Sequence, residues 1–456
     1  MHDVVVVGGG NAGLVAAISA REAGASVLLL ERAPRWQRGG NSRHTRDIRY
    51  AHPPGEPFTT GEAYPTEELL DDLLKVGGGA ASRAMAELVV DESQSVAEWM
   101  SQHGVRWQQP LTGTLHLGRT NRFFLGGGKA LINTYYQFAE ELGVDVRYET
   151  AVTDVSLSNG AATGVLIGDT AIEAHAIVLT SGGFEANIEW LKRYWGDAAD
   201  NYVVRGTPHN DGQVLAAMLD KGACTAGDPK GFHAVAVDAR APKFDGGIAT
   251  RLDSVPFGIV VNKYGRRFYD EGQDFWPKRY AIWGRLIAEQ PDQIAYSIVD
   301  APKLERFLTS LYRPFADTTI AGLAAQMGLD ASVVASTVRE FNAHIVPGGQ
   351  FDAARLDTCR TEGLDPPKSH WAEPIDSPPF YGYALRPGIT FTYLGLAVDD
   401  CARVRTQRGT LGNVFAAGEI MSGNVLSSGY LGGFGLTIGT VFGRIAGSAA
   451  AKHAAD

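Results

Sequence analysis

The alternation of hydrophobic and polar positions near the start of the chain predicts a strand, a tight turn, a helix and a second strand. Residues 4–7 form an unbroken apolar run, and after a glycine-rich turn apolar residues recur at helical spacing as far as Ala23. Gly24 ends the predicted helix, and the apolar run 27–30 predicts a second buried strand. Two short apolar runs that flank a segment with apolar residues at helical spacing are typical of a β–α–β unit.

The turn within this unit has the spacing of a dinucleotide-binding fingerprint. Gly8, Gly10 and Gly13 follow the first strand, and Glu31 ends the second strand, eighteen residues after Gly13. In this motif the glycines permit the turn, the approach of a pyrophosphate and close helix packing, while the acid binds a ribose diol. An incidental glycine turn is the alternative. The predicted nucleotide contacts are Gly8, Gly10, Asn11, Ala12, Gly13 and Glu31.

The loop after the second strand combines small and basic residues. Gly39, Gly40, Asn41 and Ser42 are suited to touch a cofactor with backbone and polar groups, and the charges that follow them are suited to face a substrate. A solvated basic loop is the alternative. The substrate-facing residues predicted here are Arg43, His44 and Arg46.

Later patterns predict the rest of the nucleotide-binding domain. Residues 66–104 predict two amphipathic helices, and Asn159-Gly160 lies between two apolar runs, which is a strong hairpin signal. The buried strand predicted at 176–179 runs into a second glycine turn at 180–183. Glycine turns at strand ends are where a parallel sheet meets its ligand.

The pattern changes near residue 230, where aromatic residues and mixed strand and helix signals begin, including a helix predicted at 301–312. Proline clusters follow, and the chain then returns to a strand at 414–416 and a glycine-rich last helix. A chain of 456 residues is also long for one core. We therefore predict an α/β fold in which an inserted α+β domain interrupts a Rossmann-like domain, with segments 1–230, 231–379 and 380–456.

Composition narrows the class of protein. Hydrophobic residues make up 45% and charged residues 20% of the chain, as in soluble enzymes, and the net charge of −10 disfavours broad nucleic-acid binding. Cys224, Cys359 and Cys401 form no C-x-x-C pair, so we expect no metal site and a reducing cytoplasm. The first strand runs straight into the nucleotide turn, so no signal peptide is expected. Glycines and Arg444 within 434–451 favour a packed helix over a membrane span.

The motifs and their order resemble one flavoprotein family over nearly the whole chain. The strings that carry the resemblance are GGGNAG at 8–13, GGGK at 126–129, TSGG at 180–183, RRF at 266–268 and AAGE at 416–419. The family comprises fumarate reductases, succinate dehydrogenase flavoprotein subunits and 3-ketosteroid Δ1-dehydrogenases. In that family a discontinuous Rossmann-like domain binds FAD and a capping domain closes over the substrate.

The resemblance therefore implies FAD as the cofactor. His44 does not stand in the attachment string of the succinate dehydrogenases, so we expect the FAD to be non-covalent. Beyond the first motif, the FAD contacts expected from the resemblance and the glycine turns are Arg32, Gly39, Gly40, Asn41, Ser42, Val152, Ser181, Gly182, Gly183, Asp211, Glu419, Leu436 and Thr437.

Within the family the chain is most similar to the tricarballylate dehydrogenases, which oxidise tricarballylate to cis-aconitate. Segments 40–46, 270–285, 391–395 and 423–447 carry this likeness. Two features depart from the fumarate reductases. Their histidine-containing substrate string corresponds here to 391–395, which has no histidine, and their carboxylate-binding arginine corresponds to Tyr430. Fumarate reduction is therefore not the expected reaction.

Dehydrogenation next to a carboxylate needs a hydride acceptor, a base for the neighbouring proton and cations that hold the acid groups. Guanidinium groups are the most suitable partners for a tricarboxylate, and Arg205 and Arg386 join the loop cations as predicted substrate ligands. By likeness to the cap arginine of fumarate reductases, Arg279 is the predicted proton-transfer residue. A solvated surface charge is the alternative for any of these arginines.

Three further side chains are catalytic candidates. Tyr393 and Tyr430 are candidates if nearby arginines stabilise a phenolate, and core aromatic residues are the alternative. His209 precedes Asn210 and Asp211 in a predicted loop, where a substrate contact and a simple turn histidine are both open.

Other functions stay open beside the tricarballylate reaction. Tyr430 with the segment 437–439 is similar to the steroid dehydrogenases, which keeps a 3-ketosteroid Δ1-dehydrogenase-like activity open, and a fumarate reductase-like oxidoreductase is a further alternative. The chain is also compatible with a flavin subunit of an electron-transfer or cobalamin-pathway system.

Because the sequence has no cysteine clusters, electrons must leave to another protein, to quinone or to oxygen. The resemblance implies a membrane-associated iron–sulfur and haem protein as the acceptor. It also implies a cytoplasmic location, with peripheral contact to the inner membrane through that partner.

Overall fold

The computed structural model describes residues 1–78, 81–110, 117–276, 280–308 and 310–456. The α-helices of these residues are α1 Asn11–Glu22, α2 Thr66–Gly77, α3 Arg83–Ser93, α4 Val96–Gln102, α5 Leu117–Thr120, α6 Gly127–Glu141, α7 Ile188–Trp195, α8 Gln213–Asp220, α9 Trp283–Ala288, α10 Ile320–Gln326, α11 Ala331–Ala343 and α12 Phe434–Ala455. Their strands are β1 His2–Val7, β2 Val27–Leu30, β3 Asp47–Arg49, β4 Trp107–Gln108, β5 Asn121–Phe124, β6 Asp145–Arg147, β7 Asp154–Ser158, β8 Ala161–Ile167, β9 Thr170–Leu179, β10 Val203–Val204, β11 Thr225–Ala226, β12 Phe232–Asp238, β13 Ile259–Asn262, β14 Ala295–Asp300, β15 Phe315–Asp317, β16 Phe380–Thr392, β17 Gly395–Leu396, β18 Arg403–Thr406 and β19 Gly409–Ala416.

The first sheet is the Rossmann-like part of the α/β fold predicted from the apolar runs. Its strand order is β18-β19-β9-β1-β2-β6, and β1 pairs in parallel with both β2 and β9, so that Val5 lies opposite Leu28 and Ile177. The chain returns after residue 400 to add β19 in parallel to β9. The hairpin predicted around Asn159-Gly160 forms between β7 and β8. Strands buried on both faces explain the continuous apolar runs.

The last helix, α12, packs directly against α1. A Cβ on Gly447 would lie within 3 Å of the backbone of Ala16, so glycine allows the two helix backbones to approach closely. Gly13, near the start of α1, likewise has no room for a Cβ because the carbonyl of Gly8 lies beside it. No helix in the described ranges combines the length and apolar character needed to cross a membrane.

The second sheet is built around β16, which pairs with β10, β12, β14 and β15. Its central strand therefore comes from the start of the predicted return segment, and β10 comes from the predicted first segment. The order of strands in this sheet depends on pairing between distant parts of the chain, which local patterns do not specify. Helices α10 and α11 pack on this sheet around buried residues such as Leu323 and Phe341.

Two local predictions differ from the structure in detail. The segment 66–104 forms three helices, α2, α3 and α4, where two were predicted. The predicted helix at 301–312 is reduced to a 3-10 turn at Ala301–Arg306. Pro302 stands in the first turn, where a missing backbone N–H costs little, so the proline does not account for the early end at Arg306.

Candidate functional site

A cavity lined by residues of both sheets contains about 1500 Å³ of space not filled by protein atoms, open solvent included. It opens at the carboxyl ends of β1, β2, β9 and β19, where doubly wound folds bind nucleotides. The predicted site residues that line it are Gly8, Gly10, Asn11, Ala12, Glu31, Arg32, Gly40, Asn41, Ser42, His44, Arg46, Val152, Ser181, Gly182, Arg205, His209, Asp211, Glu419, Tyr430 and Leu436.

Glu31 is held rigidly at one end of the cavity. Its carboxylate accepts hydrogen bonds from the backbone N–H groups of Gly9 (3.2 Å) and Ala33 (2.7 Å) and from the hydroxyl of Tyr136 (3.2 Å). Gly8, with φ of +102°, forms the turn that brings these groups together. A buried carboxylate fixed at the end of β2 is the arrangement that binds a ribose diol.

The N-terminus of α1 faces the middle of the cavity and is joined to the loop 39–46. The N–H of Asn11 donates to Ser42 Oγ (3.1 Å), and Asn11 Nδ2 donates to the carbonyl of Leu436 (3.2 Å) on α12. The starts of α1 and α12 therefore lie side by side at the cavity wall. Two helix N-termini with their positive dipole ends at one cavity suit a ligand with anionic groups.

The outer edge of the nucleotide end carries an ion pair. Arg32 Nη1 lies 2.6 Å from Asp211 Oδ2, and both side chains are about one-third exposed. His209, on the same loop as Asp211, has its Nε2 3.3 Å from Gln37 Oε1, and burial lowers its pKa. These contacts place His209 at the same end of the cavity as Glu31.

Three arginine side chains gather at the opposite end of the cavity. Arg46 donates to Asp47 (3.2 Å), and Arg251 donates to Asp253 (2.7 Å). Arg205, which is 7% exposed, has no carboxylate partner among the described residues, and its Nε and Nη1 make no hydrogen bond there. Burial, together with the nearby Arg251, lowers the pKa of Arg205 to about 10. The cluster therefore carries a positive charge that the surrounding protein leaves uncompensated.

Aromatic rings enclose this cationic end. The guanidinium of Arg251 lies over the ring of Tyr280 at 4.3 Å, and His233 stacks on Tyr430. His233 is 4% exposed, and its Nδ1 makes no hydrogen bond with the described residues. Burial lowers the pKa of His233 well below its usual value, and Arg205 lowers it further, so the imidazole is neutral. Burial raises the pKa of Tyr430, so its resting form is the phenol and not the phenolate of the sequence hypothesis.

Several predicted site residues are placed elsewhere. Arg386 donates to the carbonyl groups of Asp292 (2.7 Å) and Gln293 (3.2 Å), and Tyr393 donates to the carbonyl of Gly429 (2.8 Å). The hydroxyl of Thr437 donates to the carbonyl of Arg49. Arg279 lies outside the described residues. The predicted residues that do not line the cavity are Gly13, Gly39, Arg43, Gly183, Arg386, Tyr393 and Thr437.

Local contacts explain two of these placements. Arg386 lies on β16 six residues before its end, where it reaches the backbone of a neighbouring loop and not the cavity. Burial raises the pKa of Tyr393 well above its usual value, and its hydroxyl is already used inside the core. The structure therefore assigns both side chains contacts within the protein.

Sequence reasoning missed His233, Arg251 and Tyr280 at the cationic end. His233 follows Phe232 at the start of β12 and lies directly opposite Phe391 of β16. His233 therefore lies on the strand next to segment 391–395, which lacks the histidine that fumarate reductases have in the corresponding string. Nothing in the local pattern around Arg251 separates it from a surface arginine. Only the pairing of β12 with β16 and the packing around the second sheet bring these three residues together.

The sequence matches a protein family and curated relatives over most of its length. A family model described as "FAD binding domain" matches residues 3–436. The chain is 28% identical over 469 residues to a probable fumarate reductase of Shewanella frigidimarina, with 99% of this chain and 75% of that protein covered.

Solved structures share the fold over the whole chain. The open conformation of a flavocytochrome c3 fumarate reductase matches with a TM-score of 0.78 and 24% identity, covering 100% of this chain and 79% of that one. A 3-ketosteroid Δ1-dehydrogenase from Sterolibacterium denitrificans matches with a TM-score of 0.76 and 19% identity, covering 99% of both chains. At these identities the two structures support the architecture alone.

Proposed function

Because this chain belongs to the FAD binding domain family, we propose that it is a dehydrogenase of a small polycarboxylate, with the oxidation of tricarballylate to cis-aconitate as its reaction. FAD is its cofactor, and it is an oxidoreductase of the group that includes fumarate reductases and ketosteroid dehydrogenases. The observation that carries the choice of substrate is the cluster of Arg46, Arg205 and Arg251 at one end of the cavity.

The cluster has one guanidinium group for each of the three carboxylates of a tricarboxylate, and its positive charge is opposite to theirs. Arg46 and Arg251 each have one aspartate partner, whereas Arg205 has none among the described side chains. A guanidinium group pairs with a carboxylate through two parallel hydrogen bonds, and removal from water strengthens that pairing. The free donors of Arg205 therefore provide the strongest anchor for one carboxylate, and the other two arginines lie beside it for the remaining acid groups.

The rest of the cavity is lined by groups that are suited to bind FAD. Glu31 stands where the ribose diol is expected, and the N-terminus of α1 faces the place of the pyrophosphate. The start of α12, at Gly435 and Leu436, leads from there to the cationic end. When bound, FAD supplies the hydride acceptor, and the protein contributes binding, orientation and the exclusion of water.

The proton that leaves the neighbouring carbon needs a separate acceptor. We assign proton transfer to Arg279, on the basis of the family resemblance. Tyr430 acts as a neutral hydrogen-bond donor, because its Oη accepts from the N–H of Gly435 (3.1 Å) and its own proton stays free for a substrate oxygen. His233 is neutral for the reason given above and offers Nδ1 to the same space.

Electrons must then leave the protein. Cys224, Cys359 and Cys401 are all free, and no disulfide joins them. We propose that the acceptor is a membrane-associated iron–sulfur and haem protein, in line with the resemblance. Turnover with an artificial dye but not with oxygen would support a protein acceptor, and rapid multiple turnover with oxygen alone would contradict it.

The decisive experiment is anaerobic addition of substrates to the purified flavoprotein while the absorbance of oxidised flavin is recorded. Tricarballylate at millimolar concentration should bleach the spectrum, and succinate and a 3-ketosteroid should not. Bleaching by the steroid alone would favour the dehydrogenase alternative, and no bleaching by any polycarboxylate would contradict the proposal. Charge removal at Arg205 should abolish bleaching by tricarballylate while the flavin stays bound.

A further inference from the structure

Glu185 is a fully buried glutamate just after the glycine turn that ends β9. Its Oε1 accepts hydrogen bonds from the side-chain amides of Asn41 (2.5 Å) and Asn210 (2.8 Å), both of which line the cavity. Asn41 belongs to the loop that follows β2, and Asn210 belongs to the loop that precedes α8. One carboxylate oxygen therefore fixes two separate segments of the cavity wall.

A second carboxyl group lies against the first. Glu419 follows β19 and lines the cavity, and its Oε1 and Glu185 Oε2 both lie within 3 Å of one point, the position of a Cβ on Gly183. Glu419 Oε1 also accepts from the backbone N–H of Thr392 (2.9 Å). A Cβ on Gly183 would lie within 3 Å of an oxygen of each glutamate, so glycine at this position leaves room for the pair.

The contacts of Glu185 and Glu419 are incomplete if both are ionised. Glu185 Oε2 is buried and accepts no hydrogen bond from an N–H or hydroxyl group of the described residues. Two adjacent carboxylates would repel each other strongly in a space with little water. A proton on the facing oxygen of Glu419 removes both difficulties, because it supplies the missing donor and cancels one negative charge.

Among the described residues, no charged or titratable side chain on the surrounding elements supplies the missing hydrogen bond. The charged or titratable side chains on these elements are Glu31, Arg32, Arg35, Arg38, Arg43, His44 and Arg46 after β2, Arg205, His209 and Asp211 before α8, Tyr393 after β16 and Tyr430 after β19. None of these side chains hydrogen-bonds either glutamate within the described ranges. His44 is paired with Asp245, Asp211 with Arg32, and Tyr393 with the carbonyl of Gly429.

We propose that Glu185 and Glu419 share a single proton, carried by Glu419 and donated to Glu185, and that this acid–carboxylate pair positions Asn41 and Asn210 at the cofactor. The pair then places one negative charge beside the cavity where two ionised glutamates would place two. Burial and the neighbouring Glu185 both raise the pKa of Glu419, in the direction that this arrangement requires. The inference concerns the cofactor end and does not depend on the identity of the substrate.

Infrared spectroscopy of the FAD-loaded protein tests the shared proton directly. A protonated carboxylic acid has a carbonyl stretching band that carboxylates lack, and the band shifts in D₂O. Spectra of the wild type are compared with those of E419Q and E185Q, so that bands of the flavin cancel in the difference. The control is E189Q, which makes the same change at a side chain that is 83% exposed on the nearby helix α7.

We expect the band in the wild type and in E189Q, and its loss in E419Q, which removes the acid itself. In E185Q the proton of Glu419 meets a neutral amide oxygen in place of a carboxylate, so the weaker hydrogen bond should move the band to higher frequency. Absence of the band from the wild type at neutral pH would overturn the proposal. Survival of the band in E419Q, or an unshifted band in E185Q, would overturn it too, because the proton would then lie elsewhere or not be donated to Glu185.

The positioning role has its own readout in the dissociation constant of FAD. E185A removes the acceptor of the Asn210 amide and one of the two acceptors of the Asn41 amide, which also donates to the carbonyl of Thr390 (2.8 Å), so we expect FAD to bind at least tenfold more weakly. E185Q keeps an oxygen acceptor at the same place and should recover most of that loss. Equal weakening in both variants would contradict the positioning role, and neither result depends on substrate turnover.

Discussion

The imidazole of His233 lies flat on the phenol ring of Tyr430, with ring centroids 3.8 Å apart and planes inclined by 12°. The two residues come from different parts of the fold, since His233 is the second residue of β12 and Tyr430 precedes α12. Tyr430 is in turn held by the N–H of Gly435, whose hydrogen bond its Oη accepts. The stack therefore connects the second sheet to the start of the last helix at the cationic end of the cavity.

Replacing Tyr430 by phenylalanine tests the role of the hydroxyl group. Y430F keeps the ring that stacks on His233 but loses the acceptor for Gly435 and the proposed donor to substrate. We expect kcat/KM for tricarballylate to fall roughly 10–100-fold, about 1.4–2.7 kcal/mol of transition-state stabilisation. Y264F, at a tyrosine that is 59% exposed, serves as the control in the same steady-state assay. Equal kinetics of Y430F and wild type would exclude a role for the hydroxyl.

The lowered pKa of His233 makes stability depend on pH in a definite direction. In the unfolded chain a histidine gains a proton as the pH falls through about 6.5, whereas folded His233 stays neutral to a lower pH. The unfolded state therefore binds more protons, and the free energy of unfolding decreases on acidification below pH 6.5.

H233F keeps an aromatic ring but cannot titrate. Its free energy of unfolding should fall less steeply between pH 6.5 and pH 5, by up to about 1.4 kcal/mol per pH unit. Denaturant unfolding across this range measures the difference. His44 and His209, whose pKa values burial also lowers, contribute equally to both proteins. Parallel curves for the two proteins would show that His233 does not titrate as described.

Arg205 should be the arginine whose replacement most affects the substrate. R205K keeps the positive charge but loses the planar fork that binds a carboxylate through two hydrogen bonds. We expect kcat/KM for tricarballylate to fall at least about 100-fold, which corresponds to about 2.7 kcal/mol. R83K, at an exposed ion pair with Glu87 on α3, is the matched control. If kcat/KM of R205K falls only because the variant contains less FAD, this result would argue against substrate binding by Arg205.

Gly183 should tolerate no side chain because two carboxyl groups stand beside it. In G183A the added Cβ would meet the Thr392 hydroxyl and an oxygen of each glutamate within 3 Å, so these side chains must shift. We expect a loss of roughly 1–3 kcal/mol in the free energy of unfolding and a lower FAD content after purification. In the control G412A, the nearest atom to the new Cβ is 3.9 Å away. Thermal unfolding and flavin absorbance measure both effects, and a stable G183A with full FAD would contradict the close packing.

Much of the nucleotide end follows from local patterns. The run 4–7, the glycine turn and Glu31 lie within one β–α–β unit, so their relative positions depend on short-range geometry that a sequence motif encodes. The fold class was predicted correctly for the same reason, because parallel strands buried on both faces leave continuous apolar runs. The resemblance to the flavoprotein family added FAD, which the family match supports.

The cationic end could not be predicted in the same way. Arg205 precedes α8, His233 lies on β12, and Arg251 follows a 3-10 turn, so their proximity depends on how two sheets pack. Arg386 looked equivalent to these residues in the sequence, yet it binds the carbonyl groups of Asp292 and Gln293. Side-chain direction along a strand alternates, and its register with distant strands is a property of the whole fold.

The amino-acid order alone therefore specifies a Rossmann-like unit with a nucleotide site, because that site is built from neighbours in the chain. The pairing of β16 with β12 and the packing of the two sheets select which arginines meet at the cavity. The parallel pairing of β19 with β9 brings Glu185 against Glu419, whose positions differ by more than two hundred residues. Long-range contacts of this kind depend on the total packing of the core, and no short segment of the chain encodes them.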